Sequence, residues 1–137
     1  QGHCQRHIFF QTFMIIGIGF DLCEISRIDQ QLKNERFLQR FFSPEEQGYI
    51  NSRGPGRAAS AAACFAAKEA LVKALGTGFD GIAMKDVAVL HMENGRPYYE
   101  LRGLARERAE GLGAVRLHLS LSHEQGMAGA FCVLEGE

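Results

Sequence analysis

A chain of 137 residues is long enough to bury one hydrophobic core and too short for two, and its 46% apolar and 23% charged composition excludes a disordered or low-complexity protein. Fifteen Lys and Arg against 16 Asp and Glu leave a net charge of −1, which excludes the broad basic surface that sequence-independent nucleic-acid binding needs. Any recognition of phosphate must therefore be local.

At the start of the chain, Ile8 to Phe20 is apolar but interrupted by Gln11 and Thr12. It is too short to span a bilayer and is followed by no small-residue cleavage pattern, so neither a leader nor a membrane partner is expected. Gln1-Gly2-His3 looks like a protease-cleavage scar and Met14 like a natural start. The expectation is one domain over 14–137, with 1–13 as an N-terminal extension. Cys4, Cys23, Cys64 and Cys132 are widely separated, with no C-x-x-C pair and no His at zinc spacing, which fits reduced thiols in a cytoplasmic protein.

Ile15 to Phe20, with Gly17 and Gly19 inside it, predicts a buried strand closely approached by another backbone. Asp21-Leu22-Cys23-Glu24 has capping-box spacing and predicts the strand's end and a helix start. Ile25, Ile28, Leu32 and Phe37/Leu38 recur at helical spacing, leaving Arg27, Lys33, Arg36 and Arg40 on the exposed side of a basic amphipathic region. Ser43-Pro44-Glu45-Glu46 is a second and stronger capping box. Arg57 to Leu75 is Ala-rich and free of Gly and Pro, the firmest helix of the chain, stopped by Gly76.

The second half reads as sheet. Val87 to Glu93 and Arg96 to Arg102 flank Asn94-Gly95, the preferred pair for a type I′ hairpin turn. Leu104 to Leu112 predicts a short helix. Val115, Leu117, Leu119 and Leu121 alternate with polar residues as one face of a strand, His123 to Gly126 makes a turn, and Met127 to Leu134 is a returning strand. The fold class expected is α+β, a small antiparallel sheet packed on a long Ala-rich helix.

The candidate chemistry lies on that helix, which carries Lys68, Glu69 and Lys73, and on Asp21. Glu69 and Lys73 are four apart and project from one face; by spacing alone they make an exposed ion pair of roughly 0.3–0.5 kcal/mol. The nine alanines of Ala58 to Ala74, however, make a slim helix that neighbours approach closely, so charges on it tend to lie in a crevice. Asp21 reads equally as a helix cap or a ligand. Were Asp21 and Glu69 to converge, they would supply the one or two carboxylates that Mg²⁺ usually takes from protein, with Lys73 in reach of a phosphate oxygen. His123 reads first as an ordinary surface histidine, and Ser120 and Ser122 have no evident base.

Gly17-Ile18-Gly19-Phe20-Asp21, Glu24-x-x-Arg27-Ile28, Phe65-Ala66-Ala67-Lys68-Glu69-Ala70 through Lys73 to Gly76-Thr77-Gly78, Asn94-Gly95-Arg96-Pro97 and Leu119-Ser120-Leu121-Ser122-His123-Glu124 together resemble the holo-acyl-carrier-protein synthase family. The resemblance runs in order from Met14 to about Leu134. It implies transfer of 4′-phosphopantetheine from coenzyme A to a serine of apo acyl carrier protein, in support of fatty acid biosynthesis. It also implies Asp21 and Glu69 as Mg²⁺ ligands, Lys73 as the charge neutralising the pyrophosphate, and His123 as a nucleotide contact. Glu69, a water on the metal and His123 all stand as the general base. Arg27, Lys33 and Arg36 become candidates for binding the acidic carrier protein. A homotrimer with shared active sites is implied by the resemblance alone. Where the family commonly has Arg just before the phenylalanine of the key helix, this chain has Cys64, leaving the nucleotide-side phosphate to Arg57 or another basic residue.

Overall fold

The computed structural model describes residues 12–137, so most of the expected N-terminal extension, Cys4 and the scar-like Gln1-Gly2-His3 lie outside the described residues. In chain order the elements are β1 (Met14–Glu24), α1 (Ile25–Gln31), α2 (Glu35–Phe41), α3 (Pro44–Asn51), α4 (Arg57–Leu75), β2 (Val87–His91), β3 (Pro97–Leu101), α5 (Gly103–Gly111), β4 (Ala114–Glu124) and β5 (Met127–Gly136). β1, β5 and β4 form an antiparallel sheet in that order, while β2 and β3 pair separately as a hairpin. The architecture is α+β as expected, with two small sheets rather than one.

The long helix packs across the inner face of the three-stranded sheet, and the glycines of β1 make this contact possible. A Cβ on Gly17 would collide with the carbonyl oxygen of Ala74, and one on Gly19 with that of Ala70. Strand and helix backbones thus touch directly, the close approach that glycine inside a strand permits. Ala61, Ala62, Ala66, Ala67 and Ala70 are fully buried on α4, as are Ala128, Ala130, Cys132 and Leu134 on β5, the central strand of the sheet the helix packs on. Tyr99 of the hairpin donates its hydroxyl to Ala67 O at 2.6 Å, fastening the second sheet to the same helix.

Several local expectations are corrected. β1 does not stop at Asp21 but runs on to Glu24, because residues 21–24 pair with residues 127–130 of β5, and that ladder outweighs a local cap. Glu24 takes the N-cap position of α1 with no side-chain cap. The basic region is two short helices broken after Gln31, the second capped by Asn34, whose side chain accepts from Arg36 N. The box at Ser43 and Glu46 forms in both directions.

The hairpin turns exchange their types. Gly95 has φ 89° and its N–H bonds Met92 O at 2.8 Å, which makes Glu93-Asn94-Gly95 a three-residue loop with Gly in the left-handed position. The two-residue turn with both φ positive is instead Gln125-Gly126, so His123 and Glu124 lie in β4 and not in a turn. Val115 is exposed, because a register shift between Ala114 and Arg116 takes it off the face that Leu117, Leu119 and Leu121 share.

Candidate active site

The contact between β1 and α4 dictates where the first cluster forms. Gly17 meets Ala74 and Gly19 meets Ala70, so each two-residue step along the strand moves one turn down the helix. Asp21 is the next residue on that face, at the level of the following turn, flanked by Glu69 and Lys73. Lys73 Nζ donates to Asp21 Oδ1 at 2.8 Å and to Phe20 O at 3.2 Å. The bond to Asp21 holds the Lys73 ammonium above its ordinary range.

Glu69 is half-buried, and no hydrogen bond among the described residues holds its carboxylate. Burial pushes its carboxyl above the usual carboxylate range, and the charge of Asp21 adds to this against the counter-pull of Lys73 and Arg27. Two carboxylates with one shared lysine are under-compensated, and a further cation would relieve them. Among the described residues no group of three or more His, Cys, Asp and Glu gathers to hold a metal, so a site with an all-protein ligand set does not fit. A hard divalent ion that takes two carboxylate oxygens and fills its remaining positions with phosphate and water does. Glu69 also borders a cleft of ≈ 530 Å³ walled by Phe41, Phe79, Ile82, Ala83 and Met84, with Arg40 and Lys85 at its rim.

Lys68, expected with Glu69 on the active helix, faces away from this cluster. One residue is about 100° of helical turn, and here that rotation separates a half-exposed carboxylate from a fully buried ammonium. Lys68 Nζ donates to Glu46 Oε1 at 2.8 Å, Val87 O at 2.7 Å and Met84 O at 3.0 Å, using all three of its protons. Glu46 in turn accepts from Ser43 N and Val89 N, each at 2.8 Å. Burial draws the Lys68 ammonium below its usual range while Glu46 opposes that pull.

A second cleft, of ≈ 330 Å³, opens by the N-terminal part of α4, with Tyr49, Arg53, Ser60, His91, Pro97 and His123 in its lining. Tyr49 and His91 stack with ring centroids 3.9 Å apart, and the Arg53 guanidinium lies 5.3 Å over the Tyr49 ring. Gly56, at the N-cap position of α4, also lines the cleft and brings the positive end of the helix to it. Arg57 is not in that lining: its Nε donates to Asn51 Oδ1 at 3.1 Å. Cys64 is in the core, its thiol pushed by burial up to about 12, and offers nothing to a phosphate.

His123 pairs across β5 with Ala128, which in turn pairs with Cys23 of β1. It therefore stands two strand spacings, about 10 Å, from the strand that carries Asp21. Within one chain the structure does not bring His123 to Asp21, Glu69 and Lys73. Arg53, Tyr49 and His91 were missed by sequence reasoning, since they come from a loop, a helix and a hairpin, respectively, whose meeting no local pattern announces.

The family model of the 4′-phosphopantetheinyl transferase superfamily matches residues 17–129, spanning Asp21, Glu69, Lys73 and His123. The chain belongs to that superfamily. It is 46% identical over 123 residues to the holo-[acyl-carrier-protein] synthase of Treponema denticola, covering 90% of this chain and 100% of that protein. The crystal structure of the holo-ACP-synthase from Plasmodium yoelii superposes with a TM-score of 0.80 at 31% identity, covering 93% of this chain and 99% of that one. The Bacillus anthracis holo-(acyl-carrier-protein) synthase, solved in complex with CoA (3′,5′-ADP), gives 0.75 at 32% identity over 90% and 99% of the two chains. As a phosphopantetheinyl transferase of this kind, the chain is an enzyme whose sequence fits transfer of 4′-phosphopantetheine from coenzyme A to apo acyl carrier protein.

In this transferase the remaining sequence candidates are carried by one continuous stretch of chain, α1 to α2, its basic flank. Arg27 is on α1, Lys33 in the break before α2 and Arg36 in the first turn of α2, and all three are exposed. Arg27 is close enough to Glu69 to hold that carboxyl down, so the basic flank begins at the acidic cluster. No helix among the described residues is long and apolar enough to cross a membrane.

Proposed function

We propose that this chain is a cytoplasmic, Mg²⁺-dependent holo-[acyl-carrier-protein] synthase serving fatty acid biosynthesis, with Asp21 and Glu69 as the metal ligands and Lys73 as the pyrophosphate contact. The observation that carries this reading is the meeting of Asp21, Glu69 and Lys73 where β1 crosses α4. Bound there, Mg²⁺ would neutralise and orient the pyrophosphate oxygens of coenzyme A. Lys73 gives up Asp21 and turns to those oxygens, stabilising the charge that grows on the leaving group. The carrier serine Oγ forms a bond to the phosphorus bearing the pantetheine arm, the bridging P–O bond breaks, and adenosine 3′,5′-bisphosphate leaves with the electron pair. Glu69 takes the serine proton on a carboxylate oxygen that the metal leaves free.

His123 and Arg53 hold the nucleotide end of coenzyme A in the second cleft, with Arg57 behind them at the start of α4. Arg27, Lys33 and Arg36 receive the acidic carrier protein. Because His123 stands about 10 Å from the strand of Asp21, the two ends of the site are completed between copies of the chain, which we assign to a homotrimer with shared active sites. Supporting this, Ile18, Phe20, Leu22 and Phe131 are exposed on the outer face of the three-stranded sheet, an apolar surface of the kind that closed assemblies cover.

The test is incubation with coenzyme A and an apo acyl carrier protein, read by intact-protein mass. The expected result is a phosphopantetheinyl mass gain on the carrier serine that requires Mg²⁺ and disappears in Glu69→Gln. No gain with the wild-type chain would overturn the transferase reading, and a gain indifferent to chelation would overturn the metal assignment.

A further inference from the structure

Lys68 and Glu69 are adjacent in the chain, yet only Glu69 opens toward the reacting groups, and the buried lysine needs an account of its own. Its three hydrogen bonds reach α3 through Glu46 and the segment after α4 through Met84 O and Val87 O. That segment holds the 3-10 turn Met84–Asp86 and forms, with Ile82, one wall of the ≈ 530 Å³ cleft that Glu69 borders. The other hydrogen bonds of this segment stay within it or lead elsewhere, Asp86 N to Ala83 O and Arg102 N to Asp86 O, and the hairpin that follows reaches the helix separately, through Tyr99 and Ala67 O. The Lys68 ammonium, one residue away on the same rigid helix, thus fixes the wall relative to the Glu69 carboxylate together with the burial of Ile82 and Val87 in the core.

The cleft matches one half of the substrate. A pyrophosphate anchored at Glu69 sends its nucleotide one way and its pantetheine arm another. The arm is uncharged, with a branched apolar portion and two amides, and this cleft is apolar along Phe41, Phe79, Ile82 and Met84 and within the size range of small-molecule pockets, about 300–1,000 Å³. We propose that Lys68 is a positioning residue for the pantetheine half of coenzyme A: without touching substrate, it holds the Ile82–Lys85 wall, through Met84 O and the adjoining Val87 O, at the distance from Glu69 that the arm requires. This rests on the transferase reading and deepens it.

The experiment separates the two halves of the substrate. KM for coenzyme A and kcat are measured in the transfer assay, and the dissociation constant of adenosine 3′,5′-bisphosphate, which lacks the arm, is measured by calorimetry with Mg²⁺ present. Lys68→Met should raise KM for coenzyme A about tenfold, the loss expected when a binding wall is no longer preorganised, and leave the bisphosphate affinity unchanged. A variant damaged only in stability would not show that split. Because Lys68→Met removes one partner of a buried pair and is at risk of not folding, Met84→Ala is measured alongside it: this trims the wall itself and should give the same split. Equal weakening of coenzyme A and bisphosphate, or no change in either, in a folded variant overturns the proposal. A wild-type chain inactive in transfer overturns the underlying transferase reading instead, so the two failures are distinguishable.

Discussion

The two ion pairs of α4 use the same chemistry for opposite ends. In Lys68–Glu46 both side chains are 0% exposed, whereas in Lys73–Asp21 they are 56% and 20% exposed. Every polar atom of the first pair is matched: three acceptors on the ammonium, and two backbone donors besides Lys68 on the carboxylate. The second pair is left open, with a free face on Lys73 and a neighbouring carboxylate, Glu69, that its surroundings hold reluctant to ionise. Satisfaction makes the first pair a clamp. Incomplete satisfaction leaves the second free to exchange its partner for a substrate, as a site must.

This contrast is broken most severely from the buried side. Lys68→Met leaves the Glu46 charge in the core without its counter-ion, and unfolding in urea should show a loss of about 3–5 kcal/mol, the usual cost of orphaning half of a buried pair. Lys73→Met should leave the urea midpoint almost unmoved and lower kcat by about 10²–10³-fold, as removal of one preorganised charge-stabilising group does. If Lys73→Met proved as destabilising as Lys68→Met, the division into clamp and site would fall.

The same contrast shows what the sequence could and could not reveal. The span of α4 was legible because an Ala-rich stretch without Gly or Pro is bounded by Gly56 and Gly76. The side of α4 that faces the core was not legible. Alanine lies nearly all round the helix and gives no apolar stripe, so nothing local distinguishes Lys68 from Glu69 as the buried member. Glu46 was read as a cap, which it is, but its second partner is 22 positions away. Asp21 failed as a cap for a related reason: its backbone pairs with Ala130 of β5, a contact more than a hundred residues distant that no capping signal registers. What did betray the site was backbone approach, since Gly17 and Gly19 mark the strand that touches α4 and thereby set the level of Asp21.

Proton linkage sharpens the open half of the comparison. The folded state holds the Glu69 proton more tightly than the unfolded chain does, because burial and Asp21 raise its carboxyl. The folded state therefore binds more protons across that interval, and this residue's contribution to stability falls as pH rises from the ordinary carboxylate value through the raised one. A cation competes for the same oxygens, so Mg²⁺ affinity should increase with pH over that window and the metal should restore the stability lost there. Thermal melts at pH 4 to 7, with and without Mg²⁺, check this. A metal-induced stabilisation that is flat across that range, or that persists in Glu69→Gln, would remove Glu69 from the ligand set.

The smallest effect is expected where the basic flank meets water. Arg36 is exposed and, unlike Arg27, is not one of the charges acting on the Glu69 carboxyl, so its part is to attract a carrier protein and set its approach. Such rim charges act on encounter more than on chemistry, and they are screened once ionic strength shortens the Debye length to about 8 Å. Arg36→Glu should raise KM for the carrier a few-fold at low salt, with the difference closing as salt is added, while kcat and KM for coenzyme A stay put. Arg27 supplies the contrast within the flank, because its charge also holds down the Glu69 carboxyl. Arg27→Gln should therefore carry a second signature that salt does not erase, an upward displacement of the pH at which Mg²⁺ takes hold. If Arg36→Glu moved that pH equally, the flank and the metal site would have to be treated as one electrostatic unit rather than two.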